Sequence, residues 1–489
     1  MENKKIIIIG SGIAGMSMGC YLQMNGYETV IYEKGYSSGG LCTGWKRGEY
    51  YFEGCITWLM GSDSKNEFYE YWKELNVIQN MNFINDDDFA VIKLKDGSEF
   101  TLYSDVDKLE KEFIRVAPED KEKILSLTDS IREVSTAQLN SDNAKSVNYK
   151  KVITKWCKIT IEEFAKGFKS EFVRKNFKRI FWFKYDNTIV NFIVTMAWHN
   201  IKVAGYPVEG SRRFSDIIEE RYINLGGKIY YNSEVSEILV KNDVAVGAKL
   251  KNGKTDNGDL IVSAADGYNT IFQMLKGKYV DDGIKYCYEN LKTNQPKVYI
   301  GLGVSKKLDE FPHYMSLELS EPIKTYANES IDNIFVKIYN KNQYFSPEGK
   351  TSVVVYNNTN YEYWEELRKS SSKKYNDEKL RIASEVIDAL DKYIEGIKSN
   401  IEVVDVSTPC TIERYTNNRN GSWMGWSKEI ECIKNEKNLK RTLPGLDGFY
   451  MIGHWVGVGG GLPTVVLQAR NLVQVICKND EKVFTTTRL

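Results

Sequence analysis

Three histidines (His199, His313, His454) and nine prolines are all that 489 residues contain of either type. Histidines this sparse and this scattered point away from a Ser/His/Asp or Cys/His triad and from any metal-ligand constellation. With 37 glycines, so little proline also leaves no room for a collagenous or low-complexity chain. The eight cysteines form no Cys-x-x-Cys pair, which fits a reduced, intracellular protein without a metal or dithiol site. Charge of one sign is not in excess, with 66 basic against 66 acidic residues, so no global field draws the chain to nucleic acid. Long apolar runs are missing too. Nothing approaches the roughly 20 residues of a spanning helix, and the isoleucines after Lys5 are too few for a signal segment, so a cytoplasmic or peripheral membrane location is expected. At roughly 150 residues per domain, the length corresponds to two or three domain equivalents.

What is present begins at residue 6. Ile6-Ile7-Ile8-Ile9 reads as a strand buried on both faces, and it runs into Gly10-Ser11-Gly12-Ile13-Ala14-Gly15. Met16 to Asn25 reads as a helix stopped by Gly26, and Glu28 to Tyr32 as a second strand ending in Glu33 and Lys34. In such a βαβ unit the first glycine makes the turn and the second lets backbone approach a pyrophosphate. The third lets helix and strand pack closely, and the acid at the second strand's end accepts from a ribose. Gly39-Gly40-Leu41-Cys42 offers a second close passage beside the dinucleotide. Arg47 stands five residues beyond Cys42, so a Cys-x4-Cys dithiol is excluded here. Gly301-Leu302-Gly303 falls inside an expected strand and lacks the third glycine, so one dinucleotide site is expected, without a separate nicotinamide domain.

Near the C-terminus, Gly453-His454-Trp455 is followed by Gly457-Val458-Gly459-Gly460-Gly461-Leu462-Pro463 and a helix from Thr464 that includes Val466. A strand, a glycine cluster and a helix start make a second phosphate or flavin cradle. Together with the first motif this resembles the discontinuous FAD-binding domain of amine-oxidase-like flavoproteins, and more narrowly the phytoene desaturase, carotenoid isomerase and retinol saturase family. Further segments carry the resemblance: Tyr206-Pro207-Val208-Glu209-Gly210-Ser211, the stretch to Val235, and Leu260 to Asp266, which includes Ala264. The fold it implies is α/β, a discontinuous Rossmann-type FAD-binding domain with a second α+β substrate domain of mixed sheet and helical cap. The FAD-binding parts would be 1–65, 205–290 and 441–489, and the substrate parts 66–204 and 291–440. Cofactor contacts would include Thr57, Trp58 and the residues named above. Cys42 and His454 stand where many relatives carry arginine and an acidic residue. Trp198, Trp423 and Trp455 are expected to line the substrate, and His199 and Glu413 are candidates for acid–base work. The lysine and aromatic pair that amine-oxidising relatives present to the flavin is not placed in this chain.

The resemblance implies an FAD-dependent oxidoreductase that desaturates, saturates or isomerises an extended lipophilic substrate, with its electron partner open. An amine or amino-acid oxidase and a non-catalytic escort-like lipid-binding protein are the alternatives. Between 150 and 184, eleven basic residues stand against three acids. Ile161, Phe164, Phe168 and Phe172 recur at helical spacing there, followed by Phe181, Trp182 and Phe183. Such a stretch either lies on an anionic membrane or turns its aromatics into a core. Asp377 to Ile397 reads as a scaffold helix, Ser370 to Lys374 as a loop, and His313 as a surface residue.

Overall fold

The computed structural model describes residues 4–139, 144–180, 187–325 and 330–486. The isoleucine run forms the strand Lys5–Ile9 at the middle of a five-stranded parallel sheet. Across that sheet the order is Lys228–Tyr230, Glu28–Tyr32, Lys5–Ile9, Leu260–Ser263 and Phe449–Met451. Burial on both faces explains the unbroken apolar run. Ile6 and Ile8 pack with Val262 against the helices Ile13–Met24, Gly210–Asn224 and Leu462–Asn479. Ile7 and Ile9 face the other way, onto a three-stranded antiparallel sheet that begins at Val235.

A seven-stranded sheet makes the second layer, ordered Ile401–Ser407, Lys297–Val304, Thr351–Asn358, Ser330–Tyr339, Tyr314–Lys324, Asp88–Lys93 and Glu99–Tyr103. Only its pairing of Tyr314–Lys324 with Asp88–Lys93 is parallel. The segment 66–204 lends this sheet two strands, Asp88–Lys93 and Glu99–Tyr103, besides its helices. One face packs on the helices Tyr361–Ser370 and Ser372–Asp391 through Trp364, Ile382, Val386 and Leu390. The other carries Tyr314, Phe335, Tyr339 and Tyr356 toward the cap and toward Tyr50 and Phe52. Gly301 and Gly303 make this last contact possible. A Cβ at Gly301 would sit 2.7 Å from the Phe52 ring, and one at Gly303 2.5 Å from the Tyr50 ring.

Four expectations need correction. The 161–172 periodicity is two helices, Ile161–Lys166 and Glu171–Asn176, because Gly167 ends the first and Ser170 Oγ accepts from Val173 N to start the second. Ser370 to Lys374 is not a loop, because Ser371 caps a helix running Ser372–Asp391, whose end precedes Ile397. His313 is not on the surface: its ring lies 4.7 Å from Tyr206 and 5.4 Å from Tyr339, with Nδ1 donating to Ile338 O at 2.8 Å. Arg179, counted in the basic stretch, is buried and paired with Glu318 at 2.8 Å.

The aromatics Phe164 and Phe168 of that stretch are buried in the cap core, and Lys123 Nζ lies 4.9 and 4.8 Å from their ring centres. Phe181, Trp182 and Phe183 fall outside the described residues. Among the described residues no helix is long and apolar enough to cross a membrane. All eight cysteines are free thiols.

Gly301→Ala forces the Phe52 ring off its strand, and such overpacking costs about 1–3 kcal/mol. A fall of that size in the unfolding free energy from urea titration checks the contact.

Candidate functional site

Backbone geometry builds the first half of the site. Gly10, at φ +95°, turns the chain out of its strand, and its N–H donates to Tyr32 O at 2.8 Å. Gly15 must be glycine because a Cβ there would stand 2.0 Å from Gly10 O. Gly12 is free for a different reason: a Cβ there would meet nothing within 4 Å. The open space beside it is bounded by a second strand of backbone, since Gly39 N donates to Ser11 O at 2.9 Å and Gly39 bridges Gly12. A Cβ on Gly40 would lie 3.3 Å from Gly12 Cα. From the C-terminal segment a Cβ on Gly453 would lie 3.7 Å from Ala14 Cβ, and Gly461, at φ +122°, leads into the helix Leu462–Asn479 with Pro463 in its first turn. Ile13, Ala14 and Val466 are buried in one cluster, with Leu462 packed against it. Ala264 closes the floor, its N–H donating to Ile9 O at 2.9 Å.

Glu33 stands at the end of its strand with both oxygens engaged. Oε2 accepts from Ser11 N at 2.7 Å and Ser11 Oγ at 2.8 Å, and Oε1 from Gly35 N at 2.7 Å. The chain just before Val235 holds this corner, as Ser233 N donates to Glu33 O at 2.7 Å. Lys34 Nζ donates to Arg414 O at 3.0 Å. Leu41 is half-buried and Cys42 buried, and burial holds the Cys42 thiol well above its ordinary pKa.

Glu53 fixes the next segment. This carboxylate is 2% exposed, and it accepts from Ser211 N at 2.7 Å and Cys55 N at 3.0 Å. Burial raises its pKa while these N–H groups oppose the rise. Ser211 Oγ in turn accepts from Ile56 N at 2.8 Å, so the Tyr206–Ser211 motif clamps the loop that carries Thr57 and Trp58. Gly210, at φ +78°, is needed for that approach, because a Cβ there would lie 2.6 Å from Glu53 Oε2.

Beyond Thr57 lie residues that pattern reading passed over. Lys337 Nζ donates to Thr57 Oγ1 at 2.6 Å, and Lys297 Nζ lies 4.1 Å from the Trp423 ring centre and 4.7 Å from that of Tyr356. Both lysines are buried, at 7% and 4% exposure. Burial lowers the Lys337 pKa to about 8 and the Lys297 pKa well below its ordinary value. A lysine with an aromatic pair is thus present after all. The signal was a charged residue at an inward position of each strand, in Lys297-Val298-Tyr299-Ile300 and Phe335-Val336-Lys337-Ile338.

The remaining candidates divide. His454 is close to the glycine cluster: a Cβ on Gly460 would stand 2.3 Å from its Nδ1, and that nitrogen is buried without a partner. Trp423 is half-buried beside Lys297, whereas Trp455 sits in the core with its N–H donating to Asn418 Oδ1 at 3.0 Å. His199 packs edge-on against Trp58, 5.6 Å between centres, with Nε2 unpartnered, and Trp198 Nε1 is unpartnered as well. Glu413 faces elsewhere, both oxygens accepting from the Tyr361 hydroxyl at 2.8 Å.

Fold and site define a nucleotide-binding protein of the Rossmann-like class. Residues 8–75 match the model of the NAD(P)-binding Rossmann-like domain. Over 95% of its length the chain is similar to prolycopene isomerase 1 of an Oncidium hybrid cultivar, 22% identical and covering 82% of that protein. The 1-hydroxycarotenoid 3,4-desaturase of a Flavobacterium is 23% identical across 97% of this chain and 99% of its own. Among solved structures, an oxidoreductase from Methanosarcina mazei superposes with a TM-score of 0.65 at 14% identity, covering 96% of this chain and all of that one. Carotenoid isomerases and desaturases are thus among the proteins to which this chain is similar over nearly its whole length.

Two outcomes check this site. Gly12 has φ −64°, ordinary for any residue, so Gly12→Ala is expected to hold its stability within about 0.5 kcal/mol while losing the bound nucleotide, whereas Gly15→Ala loses stability itself. Thermal midpoints alongside cofactor content separate the two. The second concerns pH. Burial lowers His199 to about 3, and His313 and His454 to about 4, from an ordinary 6.5. The unfolded chain takes up protons near 6.5 that the native rings refuse until pH 3–4, so unfolding binds protons and stability falls as pH drops from 6.5 toward 4. Each refused proton is worth about 1.4 kcal/mol per pH unit, and His199→Gln should shrink the fall between pH 7 and 5.5 in urea titrations.

Proposed function

We propose that this chain is an FAD-dependent oxidoreductase acting on carbon–carbon bonds of an extended polyene or related lipophilic chain. The observation that carries the reading is the convergence of three glycine segments, around Gly12, Gly40 and Gly453–Gly461, on open space into which a Cβ at Gly12 would project without meeting any atom. The full-length similarity to carotenoid enzymes supports the substrate class. Backbone at Gly12 and Gly40 would hold the pyrophosphate, Glu33 the adenosine ribose, and Thr57, His454 and Gly460–Gly461 the flavin end. FAD supplies a ring that accepts or returns a hydride, chemistry that desaturation, saturation and isomerisation share.

The protein's own part is positioning and exclusion of water. Tyr356, Phe335 and Trp423 wall the cap-facing side of the seven-stranded sheet, an apolar lining suited to a long hydrocarbon chain. His454 and His199 stay neutral at pH 7, and each leaves one ring nitrogen free of protein partners. Exposed lysines between 150 and 175 leave an anionic membrane surface as the source of such a substrate. Amine oxidation is the second reading, favoured by Lys297 between Trp423 and Tyr356. Against it, the second buried lysine beside the first makes this face of the sheet hostile to an ammonium ion.

Purified protein should show a flavin absorption band that dithionite bleaches under anaerobic conditions, and solvent extraction should release an isoprenoid or acyl lipid. No band after incubation with FAD would overturn the enzyme reading in favour of escort-like lipid binding. Turnover of small amines in place of lipid would favour the second reading.

A further inference from the structure

We infer that Lys297 and Lys337 are the binding site for a carboxylate at the end of the substrate, so that the molecule taken up is a polyene or acyl acid and not a plain hydrocarbon. The inference rests on the reading of a lipophilic substrate and names its polar end.

Strand register puts the two amines on one face. Tyr356 pairs with Tyr299 on one side and Phe335 on the other, and Lys297 and Lys337 each lie two residues from those partners. With a side-chain period of two, all five residues point to the same side of the sheet. Their heads converge accordingly, the Lys297 and Lys337 Nζ atoms lying 4.7 and 5.6 Å from the centre of the one Tyr356 ring.

Among the described residues neither amine touches a counter-ion: no carboxylate lies within 4 Å of either, and the buried Glu53, which acts on Lys337 only through space, spends its oxygens on the N–H groups of Ser211 and Cys55. Withdrawing an ammonium group from water costs several kcal/mol unless an anion and hydrogen bonds replace the solvent. Here the protein supplies one hydroxyl, Thr57 Oγ1, and two aromatic faces, Tyr356 and Trp423. Each lysine thus retains N–H donors that the protein leaves unused, and a carboxylate has two oxygens to accept them. The aromatic walls suit the apolar stem behind such a head. The mutual effect of the amines is unfavourable without a ligand, since Lys337 further lowers the Lys297 pKa. An anion between them reverses that sign.

The test uses flavin-loaded protein and two probes of one carbon skeleton, all-trans-retinoic acid and its methyl ester, with binding read from tryptophan quenching and the flavin spectrum. The acid is expected to bind about tenfold to a hundredfold more tightly than the ester, as two charge-assisted hydrogen bonds imply. Lys297→Met and Lys337→Met should each collapse that ratio toward one while leaving ester affinity within about threefold. Equal affinities for acid and ester in the unaltered protein, a comparison that needs no variant to fold, overturn the carboxylate site and leave the lipophilic-substrate reading standing. Failure of both probes on flavin-loaded protein overturns that reading and this inference with it. A variant that keeps the acid-to-ester ratio but shifts the flavin midpoint potential assigns the lysines to the flavin and overturns the inference.

Discussion

The buried carboxylate of Glu53 is the contact on which the two layers of the molecule depend. It belongs to the N-terminal segment, yet its partner Ser211 lies some 160 residues later, at the head of a helix packed on the parallel sheet. Through it the loop bearing Thr57 is fixed against both the Rossmann-like layer and the strand that carries Lys337. A buried carboxylate is tolerated only when N–H groups converge on it. Here two backbone donors do so, and Gly210 is bare because any side chain would displace them. The position of the Thr57 loop relative to the glycine segments thus follows from one satisfied acid.

The nucleotide half was legible in the sequence because its demands fall on the backbone. A strand buried on both faces, three glycines at fixed spacing and an acid at the next strand's end are each constraints on residue type, and Gly10, Gly15 and Glu33 sit as those constraints require. The pairing of Gly39 with Gly12 was readable for the same reason. What the sequence concealed depends on register between distant strands. Lys297 and Lys337 look like ordinary strand lysines until the seven-stranded sheet sets them over Tyr356. His313 was read as a surface residue, while its neighbours in space are Tyr206 and Tyr339, brought to it by strand pairing and not by sequence.

Local capping explains the other differences. Periodicity at Ile161, Phe164, Phe168 and Phe172 spans two helices because Gly167 and Ser170 interrupt the hydrogen-bond ladder without rotating the apolar face away from the core. The same capping chemistry at Ser371 turned an expected loop into a helix start. Such breaks leave the buried face intact, so hydrophobic spacing alone does not reveal them.

The order of strands in the parallel sheet also bears on how the chain is made. Of the five strands Lys5–Ile9 is made before the others and finds Glu28–Tyr32 at once, but its other neighbour, Leu260–Ser263, follows some 250 residues later and the outer strand Phe449–Met451 after that. At synthesis rates of about 5–20 residues per second the central strand waits roughly 12 to 50 seconds with an unpaired apolar edge. A chaperone or an early partner covering that edge during translation would protect a segment that the finished protein hides completely.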